Sequence, residues 1–285
     1  MISLPSLEFT FFAAMVEHAE ETADELGIDV QVIDGENSQE KQVRDIEDAI
    51  AMGVDGMVII PITAEGANTA IQDAMDAGIP VVTVDRTSMV DVVAHVGADF
   101  TEQGRIAARL FIEGLEEMHP DADQWDVVEI TGTPGSSAAT DRGAGINEVF
   151  DENPKINLVA SLTGEFTTTD GRAVAEDQLT ANPDLHGILA HNDMMGHGVI
   201  EAAREAGVLD QLLIVAIDGQ VSFVQEVLNG VAYATVSHDP YQIVTGIQAV
   251  YDYIQGKDVE EEILLEADPI RQEDAQEALD SGMAF

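Results

Sequence analysis

Five short motifs follow one another in this 285-residue chain: Phe11-Phe12, Val84-Asp85-Arg86, Asp141-Arg142-Gly143, His191-Asn192-Asp193 and Ile217-Asp218-Gly219. Their side chains suit a small ligand rimmed with hydroxyl groups. Asp85 and Asp218 accept hydrogen bonds, and Asn192 both accepts and donates. Arg86 and Arg142 offer a planar fork of donors that lysine cannot imitate. Apolar faces of such a ligand need aromatic cover, for which Phe12 and Phe166 are the candidates, with Phe11 at the edge. Each residue also has a structural alternative. Asp85 and Asp218-Gly219 read as turns, Asn192 as a helix cap, Arg142 as a solvated helix start, and the phenylalanines as core.

Groups so far apart in sequence need a scaffold to bring them together. Short apolar runs alternate with helical stretches, the pattern of βαβ units around parallel sheets. Helices are expected over Phe11–Glu25, capped by Thr10 and ended by Gly27, and after a capping box of Asn37 and Glu40, ending at Gly53. Strands are expected at Val30–Ile33, Met57–Ile60 and Val81–Val84, with a helix over Glu65–Ala77 between the last two. The pattern restarts with strands at Val127–Ile130, Leu158–Leu162, Ile188–His191 and Leu213–Ile217. Helices near Ala138–Asn153, Asp170–Asn182, Met194–Ala206 and Ser222–Asn229 fill the gaps. One unit repeats: Gly56 to Asp85 and Gly187 to Asp218 both run strand, helix, Ala-Gly, strand, aspartate. Ligands of open α/β sheets bind at the carboxyl ends of strands, and two such half-sheets facing each other would make a cleft.

Catalytic and metal-binding motifs are missing. Gly132-Thr-Pro-Gly135-Ser-Ser lacks the lysine of a phosphate-binding loop. His191 and His197 lack the spacing of a helical zinc pair. The chain has no cysteine, which excludes thiolate chemistry and disulfides. Neither cofactor nor metal is expected. Trp125, the single tryptophan, reads as a surface plug in a loop. Eleven Lys+Arg against 55 Asp+Glu give a net charge of −44, yet hydrophobic residues make up 45%. That apolar share supports a folded core, and the charge disfavours nucleic acid and anionic membranes.

Taken in order, the five motifs resemble the ribose/galactose-type periplasmic sugar-binding proteins, the receptors of ABC importers, over about residues 2–270. The resemblance implies a type I periplasmic binding protein fold: α/β, with two Rossmann-like lobes of parallel sheet joined by a three-segment hinge. The lobes would be 1–100 plus 239–267 and 101–238 plus 268–285, with crossovers near Asp99–Thr101, His238–Asp239 and Glu266–Asp268. It implies a non-enzymatic, exported, monomeric receptor, free or lipid-anchored, that closes on an aldopentose or aldohexose and delivers it to a permease. Its ligand set would be Phe11, Phe12, Asp85, Arg86, Arg142, Phe166, Asn192, Asp218 and His238, lining a cleft rather than filling the core. Two positions depart from the ribose-binder pattern: Phe9 stands where asparagine is usual, and His238 where glutamine is. The ligand-sensing domain of a lactose-repressor-type regulator shares the fold, but a DNA-bound role sits poorly with this charge.

A compact body carrying −44 repels itself unless salt screens it, and at about 1 M the screening length is only about 3 Å. Circular dichroism through a dialysis series should therefore lose the cooperative melt as salt falls from about 1 M to about 0.05 M. A full native spectrum at the low end would contradict this.

Overall fold

Runs such as Met57-Val-Ile and Leu213-Ile-Val, rich in β-branched residues, form short buried strands, and the stretches between them coil into helices with one apolar stripe. The computed structural model describes residues 1–285. The first leg of the chain comprises β1 (Ile2–Leu4), α1 (Thr10–Leu26), β2 (Val32–Asp34), α2 (Gln39–Met52), β3 (Met57–Ile59), α3 (Asn68–Asp76), β4 (Val81–Val84) and β5 (Ala94–Ala98). The second comprises α4 (Phe100–Met118), β6 (Trp125–Thr131), α5 (Ser137–Asp151), β7 (Ile156–Thr163), α6 (Thr168–Ala181), β8 (Gly187–Ala190), α7 (Asp193–Ala206), β9 (Leu213–Val215), α8 (Val221–Leu228) and β10 (Ala234–Val236). Then follow α9 (Gln242–Ile254), β11 (Glu262–Leu265), β12 (Pro269–Arg271) and α10 (Gln272–Ser281).

These elements form two α/β units. The first holds Met1–Ala98, Gly135–Ser137 and Asp239–Glu266, and the second holds Asp99–Pro134, Ala138–His238 and Ala267–Phe285. The first sheet has the order β11-β5-β4-β3-β1-β2 and is parallel throughout. The second has the order β12-β10-β9-β8-β6-β7, with β12 alone antiparallel. In the first unit Ile46, Met57, Ile59 and Ile71 belong to the core, and in the second Phe111, Trp125, Val127 and Leu213 do. No helix is long and apolar enough to cross a membrane.

Several local expectations are corrected. The N-cap of α1 is Phe9, which offers no side-chain bond, and Thr10 is already helical. Helix α2 is capped by Ser38, whose hydroxyl accepts the Lys41 N–H; Asn37 precedes it in a left-handed turn with φ 50°. A serine hydroxyl at this position satisfies an orphan N–H as well as an asparagine would. Helix α3 begins at Asn68, three residues after Glu65. Trp125 is no surface plug: it opens β6, is fully buried, and donates its indole N–H to the His119 carbonyl at 3.2 Å. Pairing with Ile156 carries the ring inward, and the Lys155 ammonium lies 4.5 Å from its centroid.

Helices α4 and α5 touch backbone to backbone. A Cβ on Gly104 would lie 2.1 Å from the Arg142 carbonyl oxygen, and one on Gly145 would lie 2.0 Å from that of Thr101. Only glycine fits either crossing point, and the contact sets the position of Arg142. Gly104→Ala and Gly145→Ala should each lower stability by roughly 1–3 kcal/mol through overpacking, read as denaturant midpoints. Unchanged midpoints would mean that the helices can separate freely.

Candidate functional site

In the first unit the loop after β4 holds Asp85 with φ 62°. Its Oδ1 accepts a bond of 3.3 Å from Gln242 Nε2, the first residue of α9, and Arg86 Nε lies 3.9 Å from Oδ2. Arg86 also donates through Nη1 to the Ile62 carbonyl at 3.0 Å, and its guanidinium carbon sits 5.4 Å from the centroid of Phe12. Phe12 meets Phe11 and Phe9 edge-on at 5.6 and 5.9 Å, so the start of α1 is an aromatic trio. Behind this group, His95 Nδ1 lies 3.0 Å from the Thr83 hydroxyl. Burial lowers the His95 pKa, and the nearby charge of Asp85 opposes that shift.

The second unit repeats the plan. Asp218, past β9, has φ 135°, accepts from Arg142 Nη2 at 3.3 Å through Oδ1, and accepts from Gln220 Nε2 at 3.3 Å through Oδ2. Each unit thus carries one aspartate with positive φ, held by a glutamine amide and flanked by an arginine. A non-glycine residue in that region of backbone space is uncommon and strained.

Arg142 corrects the alternative of a solvated helix start. It is 2% exposed. Its Nε donates to Gln103 Oε1 at 3.0 Å, Nη1 to the His191 carbonyl, and Nη2 to Asp218 and to His238 Nδ1 at 3.1 Å. The guanidinium carbon lies 5.2 Å from the centroid of Phe100, whose ring also meets His238 edge-on. Four of its five donors are therefore committed within the protein. Arg142 acts first as the clamp that orients Asp218 and His238.

Asn192 is also largely engaged. It caps α7 by accepting the Met195 N–H at 3.0 Å, and its Nδ2 donates to the Phe166 carbonyl at 3.2 Å. Phe166 sits at φ 61°, with its ring against the backbone of Gly132, where a Cβ would lie 1.9 Å from a ring carbon. The next residue, Asp193, is fully buried and accepts from the Thr235 hydroxyl and the Gln220 N–H, each at 2.7 Å. Burial and the neighbouring Asp218 hold its pKa well above the ordinary range. Glu129 behaves oppositely. Burial pushes its pKa up, but His191 Nε2 at 2.8 Å and the Ser161 hydroxyl bring it below the usual value.

The first unit thus gathers Phe11, Phe12, Asp85 and Arg86, and the second gathers Arg142, Asp218, His238, Asn192 and Phe166. Asp85, Arg86, Arg142, Asn192 and Asp218 are buried, and Arg142, Asp218 and Asn192 are bonded within their own unit. Sequence reading missed Gln103, Gln220 and Gln242, all buried amides that hold these charges. The available signal was glutamine at core-facing helix starts in a chain whose helices otherwise carry carboxylates.

The periplasmic binding protein domain profile matches residues 1–258. The ribose import binding protein RbsB of Bacillus subtilis (strain 168) is 31% identical over 264 residues, 92% of this chain and 83% of that protein. The galactofuranose-binding protein YtfQ of Escherichia coli (strain K12) is 30% identical, covering 89% and 81%. Among solved structures, the periplasmic component of the arabinose ABC transporter from Shewanella sp. ANA-3, bound to alpha and beta-L-arabinofuranose, superposes with a TM-score of 0.91 at 32% identity. That match covers 98% of this chain and 94% of the other. A galactofuranose binding protein gives 0.93 at 29% identity, covering 100% and 98%.

Removing one member of a buried ion pair strands the other in a medium that cannot solvate it. Arg142→Met should therefore cost about 3–5 kcal/mol of stability without any ligand, measured by denaturant unfolding in concentrated salt. An unchanged midpoint would show that the cluster is hydrated and open.

Proposed function

The chain belongs to the periplasmic binding protein domain family, and from that premise we propose that it captures one monosaccharide, an aldopentose or aldohexose, for a membrane permease of an ABC importer. The observation that carries this reading is the pair of matched aspartates, Asp85 and Asp218, each past a parallel strand, each with positive φ and each held by a glutamine. A carboxylate whose rotamer is already fixed meets a sugar hydroxyl without further ordering. Arg86 supplies donors, Phe12 and Phe166 cover C–H faces, and His238 and Asn192 complete the set. The relatives are named as binding proteins for ribose and for galactofuranose. Phe9 removes one hydrogen-bonding group at the start of α1 and His238 brings an imidazole, so the preferred sugar differs from ribose. The protein works outside the cytoplasmic membrane, as a monomer without catalytic turnover. Its charge of −44 suits concentrated salt, where screening relieves self-repulsion.

Isothermal titration calorimetry in about 1 M salt against D-ribose, L-arabinose, D-galactose, D-allose and myo-inositol tests the reading. One sugar should bind at a one-to-one ratio and be recovered unchanged. Asp85→Ala and Asp218→Ala, one in each unit, should each weaken that same binding by about 30- to 1,000-fold, the loss expected when a desolvated hydroxyl keeps no charged partner. If both variants bind as the parent does, the two aspartates are structural and the assignment is wrong.

A further inference from the structure

Gln103, whose amide offers an acceptor oxygen and two donor hydrogens, is fully buried in the first turn of α4. Its Oε1 accepts from Arg142 Nε at 3.0 Å, and its Nε2 donates to the Ser237 carbonyl at 3.1 Å. Ser237 immediately precedes His238, and its own N–H and hydroxyl are tied to Asp268, through the Asp268 carbonyl and N–H, each at 2.8 Å. One side chain therefore holds the guanidinium through its Nε–H. It also holds the backbone that presents His238.

The surroundings leave it no alternative. Phe100 covers one face of the guanidinium, and Gly104 lets the α5 backbone approach within contact. Without the Gln103 acceptor, Arg142 Nε–H would be a buried donor with nothing to meet. The guanidinium would then tilt and carry Asp218 and His238 with it.

We propose that Gln103 is a positioning residue: it sets the orientation of Arg142, and through Arg142 that of Asp218 and His238, in the arrangement that meets the sugar. The proposal rests on the sugar-binding reading above for its effect on affinity, but its structural half does not. Gln103→Met keeps the volume and removes both bonds. Gln103→Glu keeps the acceptor for Arg142 and loses the donor to Ser237, so it should rescue the first function and not the second.

Two measurements on the full chain in concentrated salt decide the matter. The first follows hydrogen exchange of the Arg142 Nε–H by nitrogen-edited nuclear magnetic resonance, with no sugar present. Exchange should speed up by about tenfold or more in Gln103→Met and stay slow in Gln103→Glu, since protection reports how often a bond opens. The second is calorimetry with the same five probes, D-ribose, L-arabinose, D-galactose, D-allose and myo-inositol. Affinity for whichever probe binds should fall by about 10- to 100-fold in Gln103→Met, the usual effect of removing a partner that orients a contact residue, and by less in Gln103→Glu. Slow exchange in Gln103→Met overturns the proposal, as does fast exchange with unchanged affinity. Should no probe bind the parent protein, the sugar reading fails, while the exchange rates still decide whether Gln103 holds Arg142. If Gln103→Met does not fold, Gln103→Glu carries the test: fast exchange in that variant overturns the proposal.

Discussion

A guanidinium removed from water has to find partners for every N–H it can, because an unsatisfied buried charge costs far more than a satisfied one returns. Arg142 meets that demand with Gln103, the His191 carbonyl, Asp218 and His238, drawn from α4, the end of β8 and the loops after β9 and β10. Those segments must therefore arrive together. The glycine crossing of α4 and α5, the parallel order of β8, β9 and β10, and the cap of α7 all bring them there. Replacing such a cluster with apolar side chains of similar volume often raises stability. A polar centre that persists under that alternative is better understood through binding than through folding.

The first unit solves the same problem with less buried charge. Asp85 is held by Gln242, and Arg86 leans on a carbonyl and an aromatic ring. The outer surface follows a separate rule. Its cations sit within clusters of acids: Arg172 bonds Glu176, Glu201 and Glu205, while Arg105 bonds Glu102 and Glu148. Such exposed pairs contribute little individually. Their value lies in relieving local repulsion on a surface where carboxylates outnumber cations.

The fold was legible because its signals are local and repeated. Apolar runs marked most strands to within two residues, and Gly27 and Gly53 ended their helices as left-handed caps. Asp85 and Asp218 were legible because the two half-sheets rhyme in sequence. What stayed hidden depends on tertiary geometry. Trp125 reads as a loop residue in sequence, while its burial comes from its pairing with β7. How many donors of Arg142 the protein itself uses depends on tertiary partners that no sequence pattern states. Gln103 had no motif at all, being defined only by the arginine it faces.

The backbone beneath the two aspartates has a further meaning for how these positions can change over generations. At φ 62° and 135° a branched or bulky side chain would strain the chain, and asparagine and glycine are the residues that tolerate such angles. A single substitution there to asparagine or glycine keeps the backbone while trimming the carboxylate to an amide or removing it, whereas a β-branched residue such as threonine would strain it. Neighbours on ordinary backbone, such as Phe9 at φ −81°, carry no such constraint. The backbone thus holds these two carboxylates to a narrow set of replacements.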